Sequence, residues 1–351
     1  MPKPEIMTRS IIAALIVTAG FVAGAPLAEA QTLVTTAFSE AYAKVHRKCV
    51  LDPFEQETSA IVDMVVVDSV TALKRLRENH DAPIYDVVLF NGGQEVPASR
   101  EGLIAPISEA TLGNQDEIYG FATNLLWRGR GPAYLVEILG LIHTLTGASD
   151  LKEWAKLADP SVASDLVLPD IDSEEGLVVF LMINKAMGGS LDNVVPGLEA
   201  VSAMVKAGAK FLKTEAEIRA AFADGTAHYT ADTPDTAYSL QENMVPVVFE
   251  RGEEGTPAKY YTANLVSGGA NPTLAVRLID LTLSRPAQLC FVENLRLSPT
   301  NSRVEIPTGI AADVPKGPAA VEGYERFDGN AIDRHREEWT RLFREAVANA
   351  Q

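Results

Sequence analysis

The feature that most constrains the fold is a repeated alternation of short apolar runs with helical patterns. "TLVTTAF" precedes the helical pattern "SEAYAKVHRKCVLDPFEQET", and "AIVDMVVVD" precedes "SVTALKRLREN". In the next run, "YDVVLFNGG", Val87, Val88, Leu89 and Phe90 are four consecutive apolar residues, which suits a strand covered on both faces. Strands alternating with helices build βαβ units, so the expected fold is α/β with a largely parallel sheet. Ser39 and Ser69 are placed to cap the two helices. Ligands of open α/β sheets gather outside the carboxyl ends of the strands. The ends that matter are therefore 35–38, 68–69, and Asn91 with Gly92 and Gly93.

A second strand-and-helix series runs through "YLVEILGLIHTL", "DLKEWAKLADP", "DLVLPDIDSEEG", "LVVFLMINKAMGG", "AHYTAD", "DTAYSLQEN" and "VPVVFE". A chain of 351 residues with two such series is long enough for two cores. Near the end, Ile332, Trp339, Leu342, Phe343 and Val347 fall near one helical face, so that helix should dock rather than dangle.

The first thirty residues combine Lys3 and Arg9, the fourteen-residue apolar run "IIAALIVTAGFVAG", and the small residues "AEA" at 28–30. That is the pattern of a secretory signal peptide cut before Gln31. The apolar run is shorter than the roughly 20 residues a membrane span needs. A formal net charge of −17 argues against nucleic acid or an anionic membrane surface as partner. Cys49 and Cys290 have no metal or CxxC spacing. An exported location permits a disulfide between them, and two buried thiols fit their apolar helical surroundings equally well.

Four blocks carry a resemblance. "FEQETSAIVDMVVV", "YDVVLFNGGQEVPASREGLIAPIS", "LKEWAKLADPSVASDLVLPDIDSEEGLVVFLMINKAMGG" and "GANPTLAVRLIDLTLSRPAQ" resemble, in that order, the extracellular solute-binding proteins of bacterial ABC importers, family 1. They are most similar to the branch that includes polyamine- and ferric-ion-binding proteins, and "NAIDRHREEWTRLF" resembles the family's terminal helix. The resemblance implies a two-lobed type II periplasmic-binding fold, with 31–136 and 258–306 as one lobe and 137–257 and 307–351 as the other. It implies a monomeric periplasmic protein that closes on a small solute and delivers it to an inner-membrane permease, with no cofactor, no metal and no catalysis.

Family contacts carried over residue by residue give, from the first lobe, Thr36, Phe38, Asp68, Asn91, Gly92 and Gly93. Tyr134 matches a tyrosine at the family's crossing, although the proline before it is Ala133 here, and Glu137 stands where the family has a small residue. The second lobe gives Asp172, Ser173, Glu174, Asp232, Thr233 and Asp235; the return crossing gives Tyr261 and Asn264. The departures narrow the ligand. Val136 replaces the polyamine binders' crossing tryptophan and Ala263 their aspartate, and Tyr260-Tyr261 lies in a later block than the ferric-ion tyrosines. Asp172, Glu174 and Glu175 crowd the helix start that an anion would use. What remains is a small cationic or zwitterionic, polyamine-like organic solute.

Structural roles compete at several of these positions. Asp172 and Ser173 suit a helix cap, Asp68 suits a helix dipole, and Glu137 suits a salt bridge with Arg128 or Arg130. Tyr260 and Tyr261 alternate faces if extended, so one of them faces the cleft. An exported sensor for a membrane receptor would use the same closed surface as an importer component. An exported enzyme is the third class, but GxSxG, HExxH, GxxxxGK and GxGxxG are absent, and the five histidines lack metal spacing.

Overall fold

The computed structural model describes residues 1–2, 31–146, 151–311, 314–318 and 324–351. The expected signal segment, apart from its first two residues, lies outside them. The strands in chain order are β1 (Thr32–Ala37), β2 (Ile61–Val66), β3 (Val87–Phe90), β4 (Ile104–Ala105), β5 (Ala133–Ile138) and β6 (Gly140–Thr144). They continue with β7 (Val167–Pro169), β8 (Lys210–Leu212), β9 (Tyr229–Asp232), β10 (Val247–Glu250), β11 (Thr256–Val266), β12 (Ser298–Pro299) and β13 (Tyr324–Glu325).

β1, β2 and β3 form the parallel unit that the alternation predicts, and every residue of β3 is buried. The whole sheet is mixed, in the order β12-β5-β11-β3-β1-β2, because β11 runs antiparallel to both β3 and β5. The reason is topological. β5 shares the direction of β3 and leaves the sheet at the end where β3 stops; the returning chain enters there as β11 and must run the other way. The second lobe is built on the antiparallel sheet β10-β6-β9 and the parallel pair β7-β8, joined by a bridge between Leu166 and Tyr229. The fold is thus α/β and two-lobed.

The first crossing is abrupt, with only Leu139 between β5 and β6. A Cβ on Gly140 would stand 2.5 Å from the Glu250 carbonyl oxygen, so the absent side chain lets the outgoing and returning strands lie side by side.

Each lobe has its own core. Leu33, Phe54, Tyr134 and Phe291 are buried together in the first, and Trp154, Leu168 and Met182 in the second. The pattern expected to be one helix after β1 is broken into Glu40–His46, a π turn Arg47–Leu51, and Asp52–Thr58. Pro53 accounts for the wide turn, because its ring would clash with the carbonyl four residues earlier. That turn carries Cys49, which forms a disulfide with Cys290 on the helix Arg285–Leu295. Ile310 and Val314 pack with Val292 on the first-lobe side, past the residue 306 at which the sequence reading ends that lobe.

The terminal helix Gly329–Ala348 docks as its pattern requires: Ile332, Trp339 and Phe343 are buried against Phe180 and Leu181, with Leu342 and Val347 beside them. Among the described residues, no helix is long and apolar enough to cross a membrane.

Candidate ligand-binding cleft

Between the lobes lies a cavity of about 920 Å³. Its first-lobe wall comes from the ends of β1 and β3 and the start of the helix Ser69–Glu78; its second-lobe wall comes from the segments after β7, β8 and β9. These are carboxyl ends of strands, where helix starts leave backbone donors and short loops free to meet a ligand. The lobes also touch at the margins. Gln94 donates to Glu174 at 3.2 Å, and the Arg296 guanidinium lies 3.8 Å from the centre of the Tyr238 ring.

Of the residues expected at the site, Phe38, Asp68, Asn91, Glu137, Asp172, Ser173, Glu174, Asp232, Thr233, Asp235 and Tyr261 line this cavity. The rest do not. Thr36 is buried within the sheet, where its hydroxyl accepts from the Leu89 amide at 2.9 Å and ties β1 to β3. Asn264 is fully buried and accepts from the Gly131 amide at 2.8 Å, so it fixes the approach to β5. Tyr134 is fully buried behind the wall, hydrogen-bonded through its hydroxyl to Tyr42 and packed near Phe291. Tyr42 takes the cavity position instead. Gly92 and Gly93 line a smaller, separate cavity.

The competing structural roles are partly filled. Ser173 caps the helix Glu174–Ala186 by accepting from the Gly176 amide at 2.9 Å, while Asp172 pairs with Arg344. Asp68, rather than Ser69, caps its helix by accepting from the Thr71 amide at 2.8 Å. Ser69 donates to Asn91 at 2.7 Å and so positions that side chain at the mouth of β3. Glu137 pairs with neither Arg128 nor Arg130. Its partner is Lys259 on β11, at 2.7 Å, since β5 and β11 place residues 137 and 259 directly opposite one another.

Lys259 also pairs with Glu175, giving a triad in which the ammonium and Glu137 are buried and Glu175 is partly exposed. Burial works against the charge of Lys259, but the two carboxyls outweigh it and hold the ammonium charged. Burial likewise opposes the charge on Glu175, and the pull of Lys259 wins, so its carboxyl sits below the ordinary range. For Glu137 burial dominates over Lys259 and the carboxyl is raised. One ammonium thus settles one carboxylate fully and the second only in part.

Asp232 and Asp235 differ. Asp232, at the end of β9, is buried, accepts from the Thr233 amide at 2.8 Å, and has no ion pair among the described residues. Burial pushes its carboxyl well up, and Glu175 and Glu215 push further. Asp235 is pushed up to about 7, first by burial, then by Glu215 and Glu137, with Arg219 and Arg296 pulling weakly the other way. Buried carboxyls that gain no cation from their own protein are costly to ionise.

Facing this acidic floor is an aromatic corner. Phe38 stands 4.8 Å from Tyr42 and 5.1 Å from Tyr261, centre to centre. Sequence reasoning missed Tyr42 and also Arg336, Thr340 and Arg344, which line the cavity from the terminal helix. A signal was present: 336, 340 and 344 recur every four residues, beside the apolar stripe that docks the helix. Arg336 is held by Glu174 at 2.6 Å. Among the described residues, no group of His, Cys, Asp and Glu is arranged to hold a metal ion.

No family model matches the chain, and no curated protein matches it by sequence. Solved structures do match. An ABC transporter structure from Clostridium perfringens ATCC 13124 superimposes with a TM-score of 0.76 at 18% identity, covering 90% of this chain and 99% of that one. A putative extracellular solute-binding protein from Bordetella parapertussis gives 0.74 at 16%, again over 90% and 99%. The PBP AgtB from A. tumefaciens R10, in complex with agropinic acid, gives 0.69 at 16%, over 90% and 99%. The chain therefore has the two-lobed fold of periplasmic solute-binding proteins.

Proposed function

We propose that the protein is the solute-binding component of an ABC importer, working in the periplasm as a monomer without catalysis. It captures a small organic solute that carries a positive charge, cationic or zwitterionic, and hands it to an inner-membrane permease. The observation that carries the ligand reading is the pair Asp232 and Asp235, carboxyls that face a cavity of about 920 Å³ and have no ion pair among the described residues. A ligand ammonium placed there supplies the missing countercharge, and the rings of Phe38, Tyr42 and Tyr261 form a wall suited to its apolar or cationic face. Lys213, on the cavity rim and without an ion pair among the described residues, offers a partner for the acid end of a zwitterion.

The mechanism is a population shift. A solute that touches Asp232 and Asp235 on one lobe and the aromatic corner on the other binds the closed arrangement more tightly, and so favours it. On this reading the lobes comprise 31–136 with 258–306 and 137–257 with 307–351, the stretch around Ile310 and Val314 packing back on the first, behind a cleaved signal peptide. The complex of the structurally similar AgtB with agropinic acid supports a small organic solute as the cargo class.

A thermal-shift panel of amines, amino acids, quaternary amines, phosphonates, sugars and ferric citrate tests this. Native-state binders at millimolar concentration raise the melting point by mass action. The expected result is a rise with a positively charged solute that disappears in Asp232→Asn; a rise confined to anions or sugars contradicts it.

A further inference from the structure

A second cavity, of about 290 Å³, lies beside the crossings and shares only Glu174 with the cleft. Three guanidiniums surround it, those of Arg128, Arg130 and Arg326, and none has an ion pair among the described residues. In a chain of net charge −17, three such guanidiniums meet at one cavity, whereas Arg336 and Arg344 in the cleft both hold carboxylates. Arg326 is steadied over the Tyr260 ring, 4.9 Å from its centre, and the Nε of Arg130 is buried without a partner.

Two further features point the same way. The terminal helix, twenty residues long, begins at this cavity with Gly329 and Asn330; Asp328 caps it by accepting from the Asn330 amide at 3.0 Å, and Glu174, which also lines the cavity, is held by Arg336, so the helix end adds only in part to the guanidiniums. A Cβ on Gly329 would collide with the Gly93 carbonyl, so glycine lets the helix start close against the turn after β3. The one buried acid here, Glu95, is 6% exposed and its Oε2 has no hydrogen-bond partner. Burial raises its carboxyl, with Arg130 and Arg326 pulling the other way, so ionising it here is harder than in water.

We propose that this cavity is a second binding site, distinct from the cleft, for a small oxyanion such as inorganic phosphate. Arg128 and Arg130 approach from the first lobe, while the terminal helix is rooted in the second by Trp339 and Phe343. An anion held between them bridges the lobes next to the crossings. Its occupancy therefore changes the balance between open and closed arrangements, and by linkage changes the affinity of the cleft.

The test is calorimetric titration of the protein with inorganic phosphate, and with sulfate, at low ionic strength. The expected result is saturable binding of phosphate that Arg130→Gln or Arg326→Gln weakens at least roughly tenfold, since each removes a charge-assisted contact. Arg326 is exposed, so its variant serves if Arg130→Gln disturbs folding. Asp232→Asn, in the cleft, should leave phosphate binding within about twofold because Asp232 does not line the second cavity. Absence of saturable binding up to about 10 mM phosphate, or binding indifferent to both arginine variants, overturns the proposal. A change in phosphate affinity of more than about tenfold in Asp232→Asn, in either direction, would put the anion in the cleft and overturn it as well. Failure here leaves the cationic-solute reading standing, because that reading rests on Asp232 and Asp235 in the other cavity.

Discussion

Glu137 and Glu175 share the ammonium of Lys259, whereas Asp232 and Asp235 line the same cavity with no ion pair among the described residues. The first group joins the lobes, because Glu137 and Lys259 sit on the two crossing strands and Glu175 begins a second-lobe helix. Its charges are settled by covalently tethered partners. The second group is left high in energy when ionised, and only something arriving from solution can relieve it. Two pairs of carboxyls in one cavity are thus settled differently: the glutamates share a lysine of the crossing, and the proposed function gives the aspartates their partner in the ligand.

The largest effect should come from breaking the first group. Lys259→Met leaves the buried Glu137 without a cation and takes one partner from the partly exposed Glu175, and should destabilise the protein by about 3 kcal/mol, read from urea unfolding. A loss below about 1 kcal/mol would show that the triad is not a structural unit. Next comes the second group: Asp232→Asn should weaken a cationic solute by about a hundredfold while leaving the unliganded protein no less stable, since it removes an uncompensated buried acid. Equal losses of stability in the two variants would erase the contrast.

The same contrast predicts a pH dependence. Asp235 is raised from 3.8 to about 7 in the folded protein, so the fold holds this proton more tightly than the unfolded chain does. The stability it contributes is complete below about pH 4 and is lost as pH climbs through about 7; cation affinity rises over the same interval. Asp235→Asn should flatten both curves, and a wild-type curve of opposite slope in that window would contradict the assignment. The smallest effect is expected at Asn264→Ala: about 1–3 kcal/mol of stability from a lost buried hydrogen bond, with solute affinity unchanged. A large change in affinity there would return Asn264 to the binding surface.

Much of this was legible in the sequence because strand ends announce themselves. Asp68, Asn91, Asp172 and Asp232 each follow an apolar run and precede a helix, which places them at one edge of an α/β lobe. What was not legible is which neighbour each side chain finds. Tyr134 and Tyr42 are both plausible cavity rings and both pack on Phe291; Tyr42, on the helix after β1, is the one that lines the cavity, while Tyr134 on β5 lies behind it. Lys259 lies far from Glu137 in sequence, and their pairing follows from the antiparallel register of the crossing strands, which local pattern does not encode. The disulfide belongs to the same class, since apolar helical surroundings suit a bonded or a free cysteine equally.

The most direct test of the central claim is calorimetric titration of the best amine from the solute panel into the wild-type protein and Asp232→Asn, at a pH of about 8 where Asp235 is ionised. The account predicts binding weakened by about a hundredfold in the variant. Affinities that agree within about threefold would show that Asp232 does not hold the ligand's charge, and would contradict it.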